Sequence, residues 1–230
     1  MPIGTLYANF RNRTILARAL VNHFKIDVDI KIPEENKDIF IKQFPLKKVP
    51  AYYDSDGFEL TEAMAINYFL LRHIPDKKLQ DQLLGTDHDL KNKCQIIRWV
   101  SLANSDLCLS LFQAFAQLRG DIPYSKESFA LAMQNLEKII NLYEERLKNH
   151  KYLVNDKQTL ADLNSATIMS KGFDYIFGSE WRKQHPNTYR WFAETISSPI
   201  LKDEFFNYEY LEKPWDAPTG EWKPINWGLD

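Results

Sequence analysis

The sequence predicts a small α/β domain over residues 1–76, an all-helical domain over 86–205 and a Pro/Trp-rich tail over 206–230. Three observations carry that expectation. Strand-like alternation and helical spacing take turns up to Pro75, only helical spacing follows, and three tryptophans fall among prolines at the end. With 230 residues, 44% of them apolar and 26% charged, the chain has the composition of a globular protein with a sizeable core.

The elements follow in order. Ile3 to Ala8 reads as a strand, and Ile15, Leu16, Ala19, Leu20 and Phe24 recur at helical spacing. Val28, Ile30 and Ile32 alternate as a second strand that Pro33 stops, and a strand, helix, strand run of this length makes a right-handed parallel crossover. A short helix around Ile39 to Gln43 leads to a hairpin: Val49 to Tyr53, a turn at Ser55-Asp56-Gly57, and Phe58-Glu59-Leu60. A helix from Glu62 to about His73 ends before Pro75. This βαβ-then-ββα order is the thioredoxin-like plan. A polar connector spans about residues 75–86, and helices are expected near 88–118, 126–149, 159–172 and 187–196. Thr159 and Asp162 have the spacing of a capping box, a structural device at a helix start.

Several function classes are disfavoured. A formal net charge of −2 gives no reason to expect nucleic acid or an anionic membrane as partner. The N-terminus lacks the pattern of a signal peptide and no apolar run reaches membrane-spanning length, so a cytoplasmic location is expected. Cys94 and Cys108 on one continuous helix would stand roughly 20 Å apart, too far for a disulfide. No HxxxH, CxxC, GxGxxG or phosphate-loop pattern is present, and no metal is expected.

The hairpin ends carry polar groups that a hairpin alone does not need. Val49-Pro50 before a strand is expected to be cis, leaving the Val49 N–H and C=O to pair with an extended peptide. Thr61 is the expected N-cap of the next helix, so the first-turn amides of Ala63 and Met64 suit a carboxylate, while Glu62 at the first helical position suits an ammonium group. Together they fit a short peptide with an α-amino acid group at its end.

FPLKKVPA followed by LTEAMAI, with TLADL in the helical half, resembles the glutathione transferases. LYANFR, LTEAMAINYFL, IIRWVSLANSDLC and FGSEWRKQHPNTYRWF through SPILKDE are similar to the transferase-like N-terminal region of the gamma subunit of translation elongation factor 1, fungal type, over about residues 3–205. The resemblance implies the two-domain transferase architecture, a homodimer, and glutathione as co-substrate. Val49 would pair with the cysteinyl part, Pro50 would be cis, Lys48 would meet the glycyl carboxylate, and Glu62 with Ala63 would hold the γ-glutamyl end. Active transferases usually carry Ser at the position of Ala63, so one hydroxyl donor is lost. The thiolate donor falls at Asn12 in a theta-like register, with Arg13 supplying positive charge, whereas a one-residue shift to the tyrosine-type register would make it Tyr7.

Two functions follow from the resemblance. One is a glutathione-binding protein that adds the thiolate to an electrophile, with weakened catalysis. The other is a non-catalytic scaffold that binds the nucleotide-exchange subunit in translation elongation. The gamma subunit continues through a lysine-rich linker into a further domain, and the sequence ends at Asp230 with neither, which favours a stand-alone relative with the transferase-like role. Trp215, Trp222 and Trp227 in the tail, among Pro214, Pro218 and Pro224, are expected to dock as an extended strap over the helical domain.

Overall fold

The computed structural model describes residues 2–223. Pro224 and Trp227 lie outside the described residues.

β1 (Gly4–Tyr7), α1 (Ile15–Phe24), β2 (Val28–Lys31), α2 (Lys37–Gln43), β3 (Ala51–Tyr53), β4 (Glu59–Leu60) and α3 (Ala63–Arg72) build the first domain. Its four strands run in the order β2-β1-β3-β4, with β1 and β2 parallel and the other pairs antiparallel. Alternation divides the side chains as the pleat requires. Leu6 and its partner Tyr52 enter the main core with Leu16 and Leu20 of α1 and Ile66 and Leu70 of α3. Tyr7 and its partner Ala51 point the other way, into a small core with Phe40, Phe44 and Val49 under α2.

The expected connector is instead a helix, α4 (Lys77–Leu84), with Asp76 accepting from the Leu79 amide at 3.1 Å. The lysine-rich composition hid it, because only Gln80, Leu83 and Leu84 are buried. The long helix expected near 88–118 is α5 (Leu90–Leu102) and α6 (Cys108–Arg119), joined by a widened π turn at Ala103–Leu107. Gly120, at φ 84, ends α6 in the left-handed conformation that glycine takes most readily. Then come α7 (Lys126–Lys148), α8 (Leu160–Tyr175), α9 (Ser179–Gln184), which its brevity hid in the sequence, and α10 (Pro186–Ile196).

The buried helix α8 is the axis of this domain, touching α5, α6, α10 and α1. Its capping box forms as expected. The same Asp162 carboxylate accepts from Thr159 N–H, Leu153 N–H and Trp191 Nε1, each at 2.9 Å, so one side chain fixes the helix start, the preceding loop and α10. Burial pushes the Asp162 carboxyl up, against the four N–H and O–H groups that favour its charge.

Candidate functional site

At the hairpin entry the Val49-Pro50 peptide is cis, as expected. Pairing in β3 begins only at Ala51, so Val49 lies beyond the last residue paired with β1 while its side chain anchors in the small core. Lys48 is exposed and follows Lys47, whose φ of 52 turns the chain.

The other end of the hairpin differs from expectation. The cap of α3 is Glu62, not Thr61, and Glu62 is held at φ 67, outside the helix. Among the described residues no side chain caps this helix, so its first-turn amides, starting with Ala63, are left to a ligand or to water. The β3–β4 register pairs Tyr52 with Leu60, and continued two residues it sets Pro50 across from Glu62. The structure therefore brings Val49, Pro50, Glu62 and Ala63 to one end of the sheet, with Glu62 exposed and Ala63 buried.

Asn12, Arg13 and Tyr7 are not brought together. Tyr7 is 1% exposed beneath α2, its ring 4.9 Å from Phe40 and 5.9 Å from Tyr53. Burial and the neighbouring Tyr53 push its hydroxyl pKa up. Asn12 turns to the helical domain and donates through Nδ2 to the Ile168 carbonyl at 3.1 Å, leaving its Oδ1 buried without a partner. Arg13 is exposed and reaches the π turn, donating to the Asn104 carbonyl at 3.3 Å and to Cys108 Sγ at 3.4 Å.

Sequence reasoning missed the residues that hold this loop in place. Asn9 accepts from the Arg11 amide at 3.0 Å and donates to Glu34 at 2.8 Å. Its carbonyl receives Thr14 Oγ1 and Arg18, and Arg18 also pairs with Glu204 beyond α10. Asn104 and Cys108 were missed as well, since a helical pattern does not announce a π turn. Cys108 and Phe112 of α6, four residues apart, share a face with Phe115 and Arg119. Arg13, from the first domain, meets that face at Cys108.

Comparison with known proteins agrees with this geometry. Residues 2–72 match the profile of the glutathione S-transferase N-terminal domain and residues 101–199 that of its C-terminal domain. The chain is 48% identical to elongation factor 1-gamma 1 of Saccharomyces cerevisiae, covering 95% of this chain but only 52% of that protein, so it spans about half the length of that relative. It is 40% identical to a putative elongation factor 1 gamma homolog of the same yeast, over 92% of this chain and 97% of that one. It is 32% identical to the glutathione S-transferase psoE of Aspergillus fumigatus, over 93% and 88% of the two chains. Among solved structures, the GST-like domain of yeast elongation factor 1-gamma superposes with a TM-score of 0.89 at 47% identity, covering 95% of this chain and all of that one. With both domains matched and the sheet, cis-proline and helix order in place, the chain belongs to the glutathione S-transferase family and is similar over nearly its whole length to the elongation factor 1-gamma proteins.

Proposed function

We propose that the chain binds glutathione at the Val49–Glu62 end of the sheet and adds its thiolate, weakly, to an electrophile held against the helical domain. The observation that carries this reading is the uncapped first turn of α3 behind Glu62, beside the backbone of Val49 that no strand covers. The amides meet the γ-glutamyl carboxylate, Glu62 meets its ammonium, the Val49 backbone pairs with the cysteinyl unit, and Lys48 meets the glycyl carboxylate. Thiolate stabilisation rests on Arg13, the cation that reaches across to the helical domain, because Asn12 is engaged by Ile168 and Tyr7 is enclosed.

Calorimetric titration with glutathione tests the site. Binding is expected to be weak, and Ala63→Ser should tighten it about 10-fold by restoring a donor to a charged group. No heat at saturating glutathione with a folded protein overturns the proposal. Arg13→Ala should lower the ultraviolet thiolate signal of bound glutathione and the turnover, with affinity little changed.

A second reading, a scaffold that binds the nucleotide-exchange subunit of an elongation-factor complex in the cytoplasm, is supported by the similarity to elongation factor 1-gamma and by the engagement of Asn12. Tight binding of that subunit without turnover on any electrophile decides for it. In either role the protein acts as a homodimer. The half-exposed Tyr68 and Ile97 line a shallow apolar cavity of about 100 Å³ between α3 and α5, a surface suited to a second copy, and sedimentation should give twice the chain mass.

A further inference from the structure

Away from the Val49–Glu62 end of the sheet, a cavity of about 420 Å³ opens where α4, the start of α5 and the loop between α7 and α8 meet. It is lined by Lys78, Gln82, Asn92, Asn155, Asp156 and Lys157, every one of them polar. Lys78 and Gln82, four residues apart on α4, share a face, and Asn92 lies in the first turn of α5. The volume is that of a small-ligand site, and a lining without one apolar side chain argues against an apolar occupant.

The wall supplied by the α7–α8 loop is fixed, although it contains no helix or strand. Arg146 of α7 donates to the Leu153 carbonyl at 2.9 Å and to the Val154 carbonyl at 2.8 Å. Asn155 Nδ2 donates to Asn92 Oδ1 at 2.9 Å, and Asn155 Oδ1 accepts from the Lys157 amide at 2.8 Å. Gln82 Nε2 donates to the Gln158 carbonyl at 3.1 Å. The three elements are therefore bonded to one another around the cavity, and a ligand that enters it does not have to order the loop.

These bonds leave the charges over. On the neighbouring surface Lys77 pairs with Asp81 at 3.7 Å, Lys93 with Asp87 at 2.5 Å and Lys151 with Glu194 at 3.8 Å. Lys78 and Lys157 form no ion pair among the described residues, and neither does Asp156 in the same lining. Gln158, next to Lys157, has its buried Nε2 without a partner. Two ammonium groups brought together from separate elements suit a dianion. A carboxylate beside them opposes a bare dianion but accepts from hydroxyl groups, and the volume leaves room for a ligand that carries both.

We propose that this cavity binds a small sugar phosphate. Lys78 and Lys157 take the phosphate, the Asn92 amide adds a donor, and Asp156 accepts from the sugar hydroxyls. The site shares no residue with the Val49–Glu62 end of the sheet and stands whether or not the chain binds glutathione.

The test titrates ribose 5-phosphate and inorganic phosphate into the full chain at low ionic strength, where exposed charges are least screened. Calorimetry gives the affinity, and the backbone amide resonances of Asn92 and of residues 155–157 give the place. Ribose 5-phosphate should move those resonances and bind more tightly than inorganic phosphate. Lys78→Gln and Lys157→Gln should each weaken it about 10-fold, by removing a charge-assisted hydrogen bond. Lys77→Gln removes the same charge one residue outside the lining and should change the affinity less than about twofold. Asp156→Asn should narrow the preference for ribose 5-phosphate over inorganic phosphate. All four side chains are exposed, so the variants keep the fold. Resonances that stay in place overturn the proposal, as do unchanged affinities in both Lys78→Gln and Lys157→Gln. Equal weakening by Lys77→Gln marks a general effect of charge and overturns it too. Equal affinity for the two probes, unmoved by Asp156→Asn, rules out the sugar.

Discussion

Glu62 sits at φ 67, a backbone region that side chains with a Cβ avoid at a cost of about 1–3 kcal/mol. It is exposed, so no core packing requires it there. What the conformation accomplishes is to start α3 without a side-chain cap and to aim its amides at the end of the hairpin. Strain retained at an exposed carboxylate beside uncapped amides fits a binding role better than a structural one. Glu62→Gly separates the two. Glycine tolerates the positive φ, so the melting temperature should hold or rise, while glutathione affinity should fall about 10- to 100-fold with the loss of the charge-assisted contact. A fall in melting temperature with unchanged affinity would mark Glu62 as structural. Thr61 read as the cap in the sequence because its type and place suit one; the left-handed turn at Glu62 has no signature, since glutamate is not a residue that favours it.

At the scale of the element, α8 and α10 illustrate two kinds of cap. The α8 box was legible because both partners lie within four residues. The start of α10 was expected near 187, but its cap was not legible, because it comes from α7. Glu144 accepts from the Asn187 amide at 3.1 Å and its Nδ2 at 2.6 Å, and from the Thr188 amide at 2.8 Å and its hydroxyl at 2.7 Å. Burial opposes its charge, but these four donors outweigh it and hold the carboxyl below its ordinary value. A lowered carboxylate pKa gives stability that is fully present above the ordinary carboxylate value and is lost as pH falls through the folded one. Glu144→Gln should therefore cost about 1–2 kcal/mol at neutral pH, comparable to the loss of a strong cap. The gap between variant and parent should close on acidification, which urea unfolding at a series of pH values would measure. A gap independent of pH would show that packing, not charge, is what Glu144 contributes.

For the whole molecule, the β1–α1 loop is where the two domains are fastened. Arg18 joins Asn9 and Thr14 of that loop to Glu204 beyond α10, and Asn12 reaches Ile168 on the central helix. The loop that would activate a thiolate is thus the same one that holds the domains in register. Arg18→Met keeps the stem and strands a largely buried carboxylate, so a loss of about 2–3 kcal/mol is expected. Calorimetry should register this as a melting temperature lower by about 4–12 °C. An unchanged melting temperature would mean that the domain interface holds without this pair.

Legible in the sequence were the strand–helix order up to α3, the approximate places of α7, α8 and α10, the hairpin and its cis-proline, the capping box of α8, and the residues gathered at the Val49–Glu62 end of the sheet. All of these rest on periodicity, turn chemistry or motifs a few residues long, whose physics is local. Tertiary structure alone decided that Asn12 faces Ile168, 156 positions away, and that Tyr7 is enclosed under α2. It also decided that Glu144 caps a helix 43 positions on, and that the strap finds Tyr175 and Gly120. Composition foretold that the tail meets the helical domain, but neither its seat nor that Trp215 and Trp222 stay 47% and 40% exposed there. Which surface receives it depends on where Tyr175, Gly178 and Gly120 stand in space, and no spacing along the chain encodes that.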